Sequence, residues 1–253
     1  MKEKEEIHTT VPDPTIESDI KRERFFLEGP RSRTKELLNI IRISWEFLRV
    51  FRVLHFVGPC VTVFGSARFN EGKDYETARL IGRRLAEAGF TVMTGGGPGL
   101  MEAANRGAKE AGGTSVACAI ELPMESSLNK YLDAAVMVKY FFVRKVALVK
   151  YSYAFVVVPG GVGTMDEFFE ALTLIQTGKI LNFPIVVIGT KYWESLNKLM
   201  NDMADAGSIN RSDLDLAFFT DSVEEAIDYI KHHTVERFAV TGESPRKLRL
   251  LGE

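Results

Sequence analysis

The chain has 253 residues, 45% hydrophobic and 26% charged, with a formal net charge of −2. That length holds one large domain, or a domain with appendages, around a sizeable core, and the near-neutral charge excludes a general nucleic-acid binder, which needs a basic excess. Cys60 and Cys118 form neither a CxxC pair nor part of a histidine cluster, which argues against a zinc site or a disulfide framework and for a reducing, cytoplasmic setting.

The opening MKEKEEIHTT has no apolar core of a secretion signal, and no stretch reaches the apolar length of a membrane span. Residues 1 to 33 are charged, contain Pro12 and Pro14, and read as an arm without apolar period. Lys35 to Phe56 then carry a long helical pattern, apolar on most of its circumference, with Arg42, Arg49 and Arg52. Such a helix needs cover on more than one side. Packing on the domain or on a second subunit is expected over a membrane surface, because Glu46 interrupts any basic face.

From here short β-branched runs alternate with helical patterns. The expected strands are Val61–Phe64, Phe90–Met93, Ser115–Ala119, Ala135–Val138, Ala154–Val158, Ile185–Ile188 and Ala217–Phe219. The expected helices are Tyr75–Ala88, Pro98–Ala111, Phe142–Tyr151, Thr164–Thr177, Tyr192–Ala204 and Val223–His232. Continuously apolar strands between helices predict an α/β fold, a doubly wound (Rossmann-like) parallel sheet covered on both faces, with an N-terminal helical extension. The division is an arm and long helix over 1–57, a nucleotide-binding catalytic domain over 58–232, and a tail or short extra helix over 233–253. The segment MESSLNKYLD before the fourth strand is not a clear crossover helix.

Ligands of such sheets sit beyond the carboxyl ends of the strands. Three turns lie there: Gly65-Ser66-Ala67-Arg68, Thr94 through Gly95, Gly96, Gly97, Pro98 and Gly99, and Pro159 through Gly160, Gly161, Val162, Gly163 and Thr164. Glycines let backbone N–H groups approach an anion, and a helix start adds partial positive charge. Pro98 suits a first helical position. Neither the dinucleotide fingerprint G-x-G-x-x-G nor a Walker loop is present, which disfavours a dinucleotide cofactor or an NTPase.

Thr164-Met165-Asp166-Glu167 has the form of a capping box, as has Ser222 to Glu225, and Asp166, Glu167 and Glu170 suit a helix N-terminus. On local pattern alone, capping is favoured over catalysis for Glu167. Arg144 and Lys145 open the helix that leads into the strand before the Pro159 turn, and Arg68 follows the first strand.

PGGVGTMDE resembles the P-G-G-x-G-T-x-x-E signature of the LONELY GUY family of cytokinin-activating phosphoribohydrolases. GGGPGLMEAANRGAKEAGG with Met101, the VFGSAR turn and the Arg144-Lys145 pair extend the resemblance over residues 58 to 230. It implies that Arg144 and Glu167 are the catalytic pair, with Asp166 and Glu170 in support. It also implies that Gly65, Ser66, Gly96, Gly97, Gly99, Met101, Lys145, Gly160, Gly161, Gly163 and Thr164 bind the substrate or its phosphate. The implied reaction is cleavage of a purine nucleoside 5′-monophosphate to free base and ribose 5-phosphate, with no metal or organic cofactor, in a homo-oligomer. A carrier of the same fold that binds a nucleotide-like ligand or the molybdenum cofactor is the rival. KYFFVRK departs from the family's usual Met-His-x-Arg-Lys, which bears on the base accepted. Lysine decarboxylase, a label often given to the family, would require a Schiff-base lysine, and no motif nominates one.

Overall fold

The structure is a computed structural model that describes residues 27, 29, 30, 32–121 and 128–240, with side chains described to residue 234. The expectations for the arm (1 to 26) and the last residues (241–253) lie outside it.

Helix α1 (Arg33–Leu54) leads to strand β1 (Cys60–Phe64), helix α2 (Lys73–Glu87), β2 (Thr91–Thr94), α3 (Leu100–Glu110) and β3 (Ser115–Ile120). Next come β4 (Ala134–Val138), α4 (Phe141–Tyr151), β5 (Ser152–Val157), α5 (Val162–Gln176) and β6 (Ile185–Ile188). The chain continues through α6 (Glu194–Asp205), a 3-10 turn (Arg211–Leu216), β7 (Ala217–Thr220) and α7 (Val223–Val240). All seven strands pair in parallel in the order β4-β3-β2-β1-β5-β6-β7. The described residues of the β3–β4 crossover, 128–133, are irregular rather than helical, yet β4 pairs with β3 over its whole length. Helix α7 runs past residue 232, where the sequence pattern weakens, to Val240.

Strand residues point alternately to the two faces, and both faces are buried. Cys60, Phe64, Phe155 and Val157 pack into one core with α1, α4, α5 and α6. Val61, Val63, Ala154 and Val156 pack into the other with α2, α3 and α7. Period-two side-chain direction with apolar residues in both phases is why the strands read as unbroken apolar runs. Phe155, fully buried, lies edge-on to both Phe64 and Phe183 with ring centroids 4.8 Å apart. Truncating it to Ala would cost roughly 3–5 kcal/mol.

The strand order reverses between β1 and β5, so the loops after these two strands diverge and leave a crevice. The loop after β2 is its next neighbour. The three turns singled out by sequence therefore converge. Backbone bonds join them: Ser66 N–H donates to the Pro159 carbonyl and Leu100 N–H to the Ser66 carbonyl, both at 2.9 Å.

Two helices are capped differently from expectation. Helix α3 begins at Leu100 with Gly99 as N-cap, so Pro98 precedes the helix. Gly99 has φ +70°, and a Cβ there would fall on the Ser66 carbonyl. Contact with the first loop, rather than the proline, sets where α3 starts. Helix α5 begins at Val162 with Gly161 as N-cap and no side-chain cap. Thr164 and Glu167 thus lie inside the helix, and the capping box expected of them does not form. At α7, Ser222 Oγ accepts the Glu225 N–H at 3.2 Å, but the Glu225 carboxylate turns to the Thr220 hydroxyl instead, so only half that box exists. A complete box forms at Asn210 and Asp213, before the 3-10 turn.

Among the described residues, helix α1 is covered on one side only. Its C-terminal half buries Glu46, Val50 and Leu54, and Arg49 donates to the Met137 carbonyl while Glu46 Oε1 accepts the Lys139 N–H. Further toward its start, Leu37, Leu38, Ile40, Ile41 and Trp45 remain exposed, Trp45 by 68%. No helix among the described residues is long and apolar enough to cross a membrane.

Candidate active site

At the switch point lies a cleft of about 540 Å³, within the range of small-ligand sites. Gly65, Ser66, Ala67 and Arg68 form one wall, Gly95, Gly96, Gly97 and Met101 a second, and Gly161, Val162, Gly163 and Thr164 a third. An apolar end is built by Phe64, Ala119, Ile120, Leu128 and Met137, and Arg144 and Glu167 complete the lining.

Glu167 stands out physically. It is 3% exposed, and its Oε2 has no hydrogen-bond partner. A buried carboxylate without partners costs several kcal/mol in its charged form, and its pKa rises instead. Burial pushes Glu167 up to about 7 against the opposing attraction of Arg144 and Lys145, with Glu170 and Asp166 adding to the rise. A helix cap has the reverse character, since a carboxylate bonded to backbone N–H groups is held low.

Arg144, on the first turns of α4, donates from Nε to the Cys118 carbonyl in β3, 3.1 Å away. Its guanidinium occupies space left by Gly95, where a Cβ would stand 2.5 Å from Nη2. The Arg144 charge lowers the Glu167 pKa, yet no ion pair joins the two. The cleft between them thus holds a cation and a carboxyl group that shares its proton near neutrality.

Other expected site residues sit elsewhere. Lys145 points across to α5, 3.0 Å from Asp166 and 2.9 Å from Glu170, and none of these three lines the cleft. Gly99 and Gly160 lie behind the lining, Gly160 with its carbonyl accepting the Tyr192 hydroxyl at 2.9 Å. Arg68 reaches the cleft and is exposed. Sequence reasoning overlooked the apolar end. Its signal was the last residues of β3 and β4, which face the crevice by position alone.

The described residues contain no cluster of His, Cys, Asp or Glu able to hold a metal. No lysine is among the described residues that line the cleft.

The family model described as possible lysine decarboxylase matches residues 101–230, slightly more than half of the chain. The chain belongs to this family. It is the LONELY GUY family reached from the glycine motifs, and the match takes in the second glycine motif from Met101, Arg144 and the whole PGGVGTMDE stretch. This LONELY GUY member is 30% identical over 176 residues to the cytokinin riboside 5′-monophosphate phosphoribohydrolase of Rhodococcoides fascians, covering 68% of this chain and 88% of the relative. It is 28% identical over 170 residues to the enzyme of the same name from Mycobacterium tuberculosis, covering 66% and 90%. Among solved structures it resembles the molybdenum cofactor carrier protein of Chlamydomonas reinhardtii, with a TM-score of 0.54, 27% identity, and coverage of 70% of this chain and 98% of that one.

Proposed function

We propose that this protein hydrolyses the N-glycosidic bond of a purine nucleoside 5′-monophosphate, of the AMP or cytokinin type, giving free base and ribose 5-phosphate. The observation that carries the reading is Glu167: buried, unpartnered at Oε2, raised to about 7, and facing the cleft that Arg144 and the glycine turns also line. The names of the relatives from Rhodococcoides fascians and Mycobacterium tuberculosis support it.

The glycine turns and Thr164 receive the 5′-phosphate, and the apolar end receives the base. Binding energy from the phosphate positions the ribose, whose C1′ develops positive charge as the bond to the base lengthens. Ionised Glu167 stabilises that charge and takes a proton from water, whose oxygen bonds to C1′. The base leaves with the bonding electrons, its negative charge offset by Arg144, and takes up the proton that Glu167 removed from water, which returns Glu167 to its ionised form. Lys145, Asp166 and Glu170 support by holding α4 against α5. In this reading residues 58–232 are the catalytic unit. The exposed apolar stripe of α1 supports a homo-oligomer.

The test is direct. The protein is incubated with AMP and with its N6-isopentenyl analogue, and free base is measured by chromatography. Release from either, lost in Glu167→Gln, is the expected result. Tight binding of a phosphate ligand with no release would favour a carrier, the reading supported by the likeness to the Chlamydomonas protein.

A further inference from the structure

A buried polar cluster lies behind the second glycine turn, and the mechanism above does not use it. Asn105, inside α3, is fully buried. Its Oδ1 accepts from the Thr94 hydroxyl at 2.6 Å and from Asn129 Nδ2 at 3.0 Å, and its own Nδ2 donates to the Ser115 hydroxyl at 2.8 Å. Thr94 Oγ1 accepts the Gly96 N–H at 2.9 Å. Asn129, on the β3–β4 crossover, donates to the Gly96 carbonyl twice, from its backbone N–H at 2.8 Å and from Nδ2 at 3.1 Å. The same Nδ2 reaches the Gly97 carbonyl at 3.2 Å.

These bonds determine where one peptide points. The described residues contain no cis peptide, and a planar trans peptide directs its N–H opposite its C=O. The carbonyl of the Gly96–Gly97 peptide is held on Asn129, so its N–H, that of Gly97, points away from Asn129. Gly97 lines the cleft and Asn129 does not. Asn105 matters because its oxygen orients the Asn129 amide, while the Val116 carbonyl, which can only accept, takes a bond from Asn105 Nδ2 at 3.5 Å and fixes which end of Asn105 is the oxygen. A buried polar network in which every member is bonded rigidifies what it touches.

We propose that Asn129, held by Asn105, is a positioning residue that aims the Gly97 N–H into the cleft as a donor to an anionic oxygen of the ligand. That the oxygen belongs to a phosphate ester rests on the phosphoribohydrolase reading, whereas the orientation of the peptide does not. A backbone donor to an anion makes a charge-assisted bond, and misdirecting it weakens only ligands that carry the anion.

The experiment compares wild type with Asn129→Ala and Asn129→Asp, the latter keeping the side-chain shape but removing both Nδ2 protons. Dissociation constants are measured for ribose 5-phosphate and for adenosine, together with kcat and KM for AMP. The expected result is a loss of roughly tenfold for ribose 5-phosphate in both variants, with adenosine unchanged and the AMP effect falling on KM. Unchanged ribose 5-phosphate binding, or an equal loss for adenosine, overturns the proposal. Titration of ¹⁵N-labelled wild type with inorganic phosphate needs no variant: the Gly97 amide resonance should shift, and its failure to shift overturns the proposal. If the wild type binds ribose 5-phosphate through Gly97 yet releases no base from AMP, the hydrolase reading fails and the positioning role stands.

Discussion

Gly95 and Arg144 share one small volume: a Cβ at residue 95 would lie 2.5 Å from the Arg144 Nη2 and 2.9 Å from the Met101 sulfur. The guanidinium is the far end of a flexible side chain, so it can retreat at little cost to the fold. Gly95→Ala is therefore expected to lower base release at least tenfold through displacement of Arg144, with little change in Tm. Steady-state kinetics and thermal melting check the two halves.

Glu167→Gln removes the ionisable carboxyl. General acid–base catalysis contributes about 10²–10⁴-fold, and the loss in kcat should fall in that range. Stability should move the other way. The folded-state pKa, about 7, lies above the ordinary 4.5, so the folded protein holds a proton that the unfolded chain has released. That contribution is full below pH 4.5 and is lost as pH rises through 7. Above pH 7 the wild type bears a penalty of roughly 3 kcal/mol that the glutamine variant lacks. Urea unfolding should find the variant more stable at pH 8 and equal to wild type near pH 4.5.

Lys145 pulls the Glu167 pKa down from outside the cleft. In Lys145→Met the acidic limb of the kcat/KM profile, set by ionisation of Glu167, should shift to higher pH. Breaking the pairs with Asp166 and Glu170 should cost only about 1 kcal/mol, since both partners are partly solvated. A pH–rate profile that does not move would separate Lys145 from the catalytic group.

Gly99→Ala introduces a side chain at φ +70°, directed onto the Ser66 carbonyl. Backbone strain and the loss of the Leu100 N–H bond to that carbonyl combine. A destabilisation of about 2 kcal/mol or more is expected. Chemical denaturation measures it, and a neutral result would show that the two loops separate without cost.

The parallel sheet was readable because Val61–Phe64, Ala154–Val158 and Ile185–Ile188 are apolar in both phases of the strand period, which only a sheet covered on both faces requires. The three site loops followed from their position after strands. Glu167 was harder. Thr164 and Glu167 have the spacing of a capping box, but the turn closes earlier, at Gly161, and moves both into the helix. A four-residue pattern cannot register where a loop meets a neighbouring strand. Asn105 was passed over for a related reason. Nothing local distinguishes a solvated helical asparagine from one at the centre of a buried network.

By itself the sequence determined the fold class, the order of elements and the place of the glycine turns after the strands, since periodicity and turn chemistry are properties of neighbours along the chain; it singled out Arg144 and Glu167 only through their resemblance to the family motif. Tertiary structure alone decided that Glu167 is a desolvated carboxyl near pKa 7 rather than a helix cap, and that Lys145 turns to Asp166 and Glu170 instead of the cleft. Burial and Coulomb attraction depend on distances through space between α4, α5 and β3, and those distances exist only once the sheet has brought these elements together.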